Sequence, residues 1–219
     1  MAPAIRFRSA VALLGRFPAL AGVDLAVDPG EVVLLQGVNG AGKTSLLRAC
    51  AGLLPVVSGE AEVLGCDLRK DRRAVRRRVG LLGHSGFLYE DLTVEDNVRF
   101  AVRAGGAPTG NVEPALARLG LDGRLRRVHA GRLSAGQRRR TSLAAIVARD
   151  PDLWLLDEPH AGLDADGRDL IDGLVHQAVA QGKAVLLASH EADRAESLAQ
   201  RIVVMAGGQV HEKAPADVA

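Results

Sequence analysis

Aromatic residues are scarce: they make up 3% of the 219 residues, with one Trp and one Tyr. So few rings argue against a stacking platform for single-stranded nucleic acid. Cysteine is almost missing as well. Cys50 and Cys66 sit in no CxxC pair and beside no histidine cluster, which argues against a thiolate metal site or a disulfide. No apolar run approaches the roughly 20 residues that a bilayer span needs. The stretch MAPAIRFRSAVALLGRF lacks the long apolar segment and clean cleavage site of a signal peptide. These absences predict a soluble, cytoplasmic chain whose membrane role, if any, comes through a partner. Charge of one sign is missing too: 28 Lys+Arg against 26 Asp+Glu leaves +2, so nucleic acid is not expected as a partner.

What is present is an ordinary globular composition, 47% hydrophobic and 25% charged, long enough for one sizeable domain. The basic residues are clustered, in Arg69 to Arg78 and in Arg138 to Arg140. Such runs are usually solvated helix faces, the alternative being contact with an acidic partner, lipid headgroups or nucleic acid.

Short β-branched and apolar runs read as buried strands at Glu31 to Gln36, Val79 to Gly83, Trp154 to Leu156, Ala184 to Ser189 and Ile202 to Met205. Helical patterns alternate with them, from Lys43 to about Leu54 and again after Asp164. This alternation predicts an α/β chain with a mostly parallel sheet. The first 30 residues suggest antiparallel strands. Residues from about 85 to 133 carry short helical patterns and no strong strand, and read as a helical subdomain inserted in the core of a single domain spanning 1–219.

Three motifs carry chemistry. Gly37-Val38-Asn39-Gly40-Ala41-Gly42-Lys43-Thr44 fits GxxxxGK[ST] between a strand and a helix, with Ser45 following. Glycines let backbone N–H groups converge on a phosphate, and the helix N-terminus favours an anion. Lys43 reaches the β- and γ-phosphates, and the Thr44 hydroxyl suits Mg²⁺. Asp157 and Glu158 follow a buried strand, at the end where parallel sheets bind ligands. There Asp157 is placed to hold Mg²⁺ and Glu158 to activate an attacking water. Leu133-Ser134-Ala135-Gly136-Gln137 opens a further helix, with Ser134 as its cap and Gly136 permitting close approach of a phosphate.

In this order the motifs resemble those of the ABC (ATP-binding cassette) ATPases, whose LSGGQ signature appears here with Ala for its first Gly. The resemblance covers nearly the whole chain and implies a P-loop ATPase fold, ATP and Mg²⁺ as ligands, and ATP hydrolysis. It implies a second copy of the chain packed head to tail, with ATP on Lys43 and Thr44 of one copy meeting Ser134, Gly136 and Gln137 of the other. By the same resemblance Asp164, in AGLD, matches the D-loop aspartate, and His190, in LLASHE, the H-loop histidine that contacts the γ-phosphate. The family's SALD pattern is replaced at Ala161 and Gly162. The Q-loop glutamine is replaced by His84, which can still hydrogen-bond but titrates near neutral pH. Phe17 is the nearest candidate for stacking on adenine, with a core role as the alternative. The Gly-His at this position, the following Leu-Thr-x-x-(Glu/Asp)-Asn stretch and the Arg-rich stretch after LSAGQ look like the ATPase of the heme exporter of cytochrome c maturation. That implies membrane-spanning subunits on separate chains, at the cytoplasmic face of the inner membrane. His84, His129 and His160 form no heme-binding feature. An ATPase for another transported substrate and a soluble, non-transport ABC ATPase are the competing readings.

Overall fold

The computed structural model describes residues 2–83, 87–190 and 192–212. Ten strands and seven α-helices follow one another as β1 (Ile5–Leu14), β2 (Phe17–Val27), β3 (Val32–Gln36), α1 (Lys43–Cys50), β4 (Val56–Val63), β5 (Cys66–Asp67), α2 (Leu68–Asp71), β6 (Val79–Leu82), α3 (Val94–Gly105), α4 (Val112–Arg118), α5 (Ala135–Arg149), β7 (Leu153–Asp157), α6 (Ala165–Ala180), β8 (Ala184–Ala188), α7 (Ala192–Leu198), β9 (Arg201–Ala206) and β10 (Gln209–Glu212).

The strands form two sheets. One has the order β2-β1-β4-β5, with every pair antiparallel. The other has the order β10-β9-β3-β8-β7-β6. Its pairs are parallel except for the β10 edge. Strands covered on both faces read as continuous apolar runs, and β3, β7 and β8 are buried at almost every position. Side chains alternate across the sheet. Val33, Leu35, Leu153 and Leu155 join a core shared with α1 and the antiparallel sheet. Val32, Leu34, Trp154 and Leu156 join a second core with α3, α4, α5 and α6. The architecture is therefore the mostly parallel α/β core with an antiparallel N-terminal part that the sequence predicts. Between β6 and β7, α3 and α4 pack against α5 through Val98, Val102, Leu116 and Leu143.

Two local expectations change. Helix α1 stops at Cys50, because Gly52 turns at φ 66° and the Leu53 and Leu54 N–H groups fold back on the Arg48 carbonyl. The VVSGEAEV stretch that follows is strand β4; its Gly and Ser weaken the strand signal, and pairing with β1 supplies the ladder. The Arg69 to Arg78 run is largely exposed, yet it is not only a solvated face. Arg72 and Arg76 donate to the Gly52 carbonyl and Arg78 pairs with Asp152 at 2.7 Å. Charged donors here satisfy the carbonyls that a helix end leaves open.

Candidate functional site

The phosphate loop leaves the end of β3 and enters α1 at Gly42, which has φ 111°. A Cβ on Gly42 would lie 2.6 Å from the Ala19 carbonyl oxygen, so only glycine allows β2 to pass this close. No side chain caps α1, and its first-turn N–H groups are directed at whatever lies above the loop. Lys43 is buried, and its ammonium donates to the Gly37 and Val38 carbonyls. Val38, by contrast, is exposed.

The ends of β7 and β8 face this loop. Thr44 Oγ1 donates to Asp157 Oδ2 at 2.8 Å, across 113 positions of sequence. Asp157 is 4% exposed. Two hard oxygen donors this close suit a small divalent cation such as Mg²⁺. Glu158 adopts φ 50°, in the left-handed region, while its N–H donates to the Ala188 carbonyl at 2.8 Å. Its carboxylate Oε2 lies 2.8 Å from His190 Nδ1 and accepts from the His190 N–H at 3.2 Å. Asn39, Gly40, Gly42, Lys43, Thr44 and Ser45 thus share one open cleft of about 480 Å³ with Asp157, Glu158 and His190.

Comparisons with known proteins identify the family. The family model described as ABC transporter matches residues 20–161. A cytochrome c biogenesis ATP-binding export protein CcmA of Bordetella bronchiseptica is 41% identical, over 81% of this chain and 80% of its own length. The chain belongs to the ABC transporter family. It is an ATP-binding, ATP-hydrolysing member of that family. A putative ABC transporter ATP-binding protein of Streptomyces avermitilis is 38% identical over 92% of this chain and 36% of its own length. Among solved structures, an ATP-binding subunit of an ABC transporter matches with a TM-score of 0.89 at 26% identity, covering 97% of this chain and 90% of that one.

The signature residues of this ABC ATPase stand apart from the cleft. Ser134 caps α5, accepting from the Gln137 N–H at 3.2 Å, while the Gln137 side chain accepts from the Ser134 N–H at 3.0 Å. Gly136 backs onto the AGLD segment, where a Cβ would meet the Gly162 carbonyl oxygen at 3.2 Å. The glycine therefore serves packing within the chain as well as any approach by a ligand. Asp164 caps α6 by accepting from the Gly167 N–H at 3.0 Å. A second cleft, of about 370 Å³, runs between Gly83, Glu90, Ala135, Arg138, Arg139, Ala161 and Gly162. His84 lies outside the described residues.

Phe17, at the β1–β2 hairpin, is 80% exposed, which removes the core alternative. Two residues on, β2 passes Gly42 at Ala19. His129 Nδ1 lies 3.0 Å from the Asp91 carbonyl oxygen, and the buried His160 lies 2.8 Å from Asp172. Among the described residues no group of three or more His, Cys, Asp or Glu could hold a metal ion, and no helix is long and apolar enough to cross a membrane.

Arg139 is the residue that sequence reading missed. The sequence groups it with Arg138 and Arg140 in a basic cluster, but it is 8% exposed and donates to the carbonyls of Gly83, Asp157 and Pro159. A signal existed. Three consecutive helical residues cannot all face water easily, and Arg139 shares the i, i+4, i+7 stripe of the buried Leu143 and Ile146.

Proposed function

We propose that this ABC ATPase powers a membrane complex of cytochrome c biogenesis, the heme exporter, from the cytoplasmic face of the inner membrane. The ATP-hydrolysing part of the reading is supported above all by one observation: Lys43 and Thr44 of the phosphate loop meet Asp157, Glu158 and His190 in a single cleft. The backbone N–H groups of the loop and the Lys43 ammonium bind the β- and γ-phosphates, replacing the carbonyls that Lys43 now contacts. Thr44 and Asp157 would hold Mg²⁺, which when bound neutralises charge on the phosphate oxygens. Glu158 takes a proton from the attacking water, and His190 orients that carboxylate and contacts the γ-phosphate. The exposed Phe17 ring stacks on adenine.

A second copy completes the site. A capping serine that accepts one hydrogen bond keeps its O–H to donate, so Ser134 of one copy serves the γ-phosphate bound by the other. Gly136, Gln137 and Asp164 lie on that shared face. His84 takes the place of the Q-loop glutamine between this site and the membrane-spanning subunits. The heme-export assignment leans on the Bordetella relative. The Streptomyces relative, which matches over more of this chain, bears a name that specifies no substrate, and the second reading is an ATPase for another transported substrate. The ATP chemistry is the same in both.

A mild-detergent pull-down of the tagged chain from native membranes, with partners identified by mass spectrometry, separates the two readings. Multi-span cytochrome c maturation subunits support heme export; an unrelated permease moves the substrate and leaves the ATPase mechanism standing. For the chemistry, Glu158→Gln is expected to bind ATP, hold the dimer and lose roughly 10²- to 10⁴-fold in turnover. Unchanged turnover would refute the base assignment.

A further inference from the structure

None of the steps above uses Arg139, a charged side chain only 8% exposed. Its guanidinium donates to three main-chain carbonyls: Nε to Pro159 at 3.2 Å, Nη2 to Asp157 at 3.1 Å and Nη1 to Gly83 at 3.2 Å. Two of these acceptors belong to the residues on either side of Glu158. Glu158 itself has φ 50°, a conformation that is unfavourable by roughly 1–2 kcal/mol for a residue with a Cβ. Such a backbone persists only where its surroundings over-determine it. The Glu158 N–H is held by Ala188, and the carbonyls of Asp157 and Pro159 are held by one planar fork. A guanidinium suits this task because its donors are rigid and it stays charged when buried. Burial lowers its proton affinity, and the negative charges of Asp157 and Glu158 oppose that.

We propose that Arg139 is a positioning residue for hydrolysis. It holds the left-handed backbone at Glu158, and through it the carboxylate that faces His190 in the phosphate cleft. The third bond, to Gly83 at the end of β6, ties the same guanidinium to the strand that precedes the Q-loop. Because Arg139 sits in the first turns of α5, it links that helix to the backbone on either side of Glu158. This inference rests on the reading of Glu158 as the base.

The test uses the purified full chain with Arg139→Gln and Arg139→Lys. Three quantities are measured: ATP affinity by equilibrium binding, turnover at saturating ATP, and the Glu158 backbone by crystallography. The expected result for Arg139→Gln is ATP affinity within about twofold, turnover down roughly tenfold or more, and Glu158 relaxed to negative φ. Lysine, which can donate but has no planar fork, should recover part of the turnover. In a Glu158→Gln background, Arg139→Gln should lower the single-turnover rate no further. A positive φ at Glu158 with turnover near that of the parent chain overturns the proposal, as do additive losses in the double variant. If Arg139→Gln does not fold, the Lys variant carries the same comparison. Failure of the base assignment looks different: Glu158→Gln alone would then turn over normally. An inactive Glu158→Gln beside an unaffected Arg139→Gln would sink only the role of Arg139.

Discussion

The phosphate loop and the LSAGQ segment each lead into a helix N-terminus, yet the two are built in opposite ways. Helix α1 begins at a glycine with no side-chain cap, so its N–H groups are kept for a ligand. Helix α5 begins with a complete capping box, Ser134 and Gln137 each bonding the other's backbone. An uncapped helix start is less stable alone and is completed by an anion. A capped start stands without one and offers the serine O–H beside the few first-turn N–H groups that the cap leaves over. In the proposed dimer one end is therefore organised by binding ATP, while the other is ready in advance to meet ATP held by a second copy. Lys43 fits this contrast, since its ammonium rests on loop carbonyls that a phosphate can replace.

The largest expected effect comes from removing that ammonium. Lys43→Ala should weaken ATP binding about a hundredfold, close to 2.7 kcal/mol, with thermal stability nearly unchanged. Equilibrium nucleotide binding decides this, and retained affinity would mean that the loop backbone suffices. Next is the uncapped start itself. In Gly42→Ala a Cβ would lie 2.6 Å from the Ala19 carbonyl at φ 111°, so a loss of about 2–3 kcal/mol in stability is expected, along with weaker ATP binding. A melting temperature equal to that of the parent chain would contradict the close approach of β2.

At the capped end the pattern should reverse. Ser134→Ala is expected to lose about 1 kcal/mol of stability and most turnover, while the affinity of a single chain for ATP stays as it was. A large loss of that affinity would erase the distinction between the two helix starts. The smallest effect concerns how the helical region around α5 is held. Hydrogen bonds from Arg126 and then Arg99 hold the Glu95 carboxyl down at about 2, against an ordinary 4.5. A depressed acid stabilises the fold above its unfolded value and loses that contribution as pH falls through the folded one. Glu95→Gln should therefore lose about 1 kcal/mol or less at pH 7 and flatten the stability profile between about pH 4.5 and 2. An unchanged acid limb in urea titrations would remove Glu95 from the account.

Much of this was legible in the chain. Gly37 to Thr44, the Ser134 cap and the Asp164 cap depend on backbone conformations and hydrogen bonds among residues a few positions apart, so local sequence suffices for them. The buried strands were legible for a related reason: both their faces are covered, and an uninterrupted apolar run is the only solution. Strand β4 was not, because its ladder with β1 is made with residues some fifty positions away.

By itself, then, the sequence determined the phosphate loop, the order of the motifs, the α/β class and the family, because each is written in short-range patterns. Only the tertiary structure decided that Thr44 would reach Asp157, that Phe17 would stand exposed at the hairpin, and which carbonyls the inward-turned Arg139 would meet. Those outcomes rest on the packing of distant elements, where a buried guanidinium is stable only if carbonyls from β6 and the end of β7 are already in place to receive it.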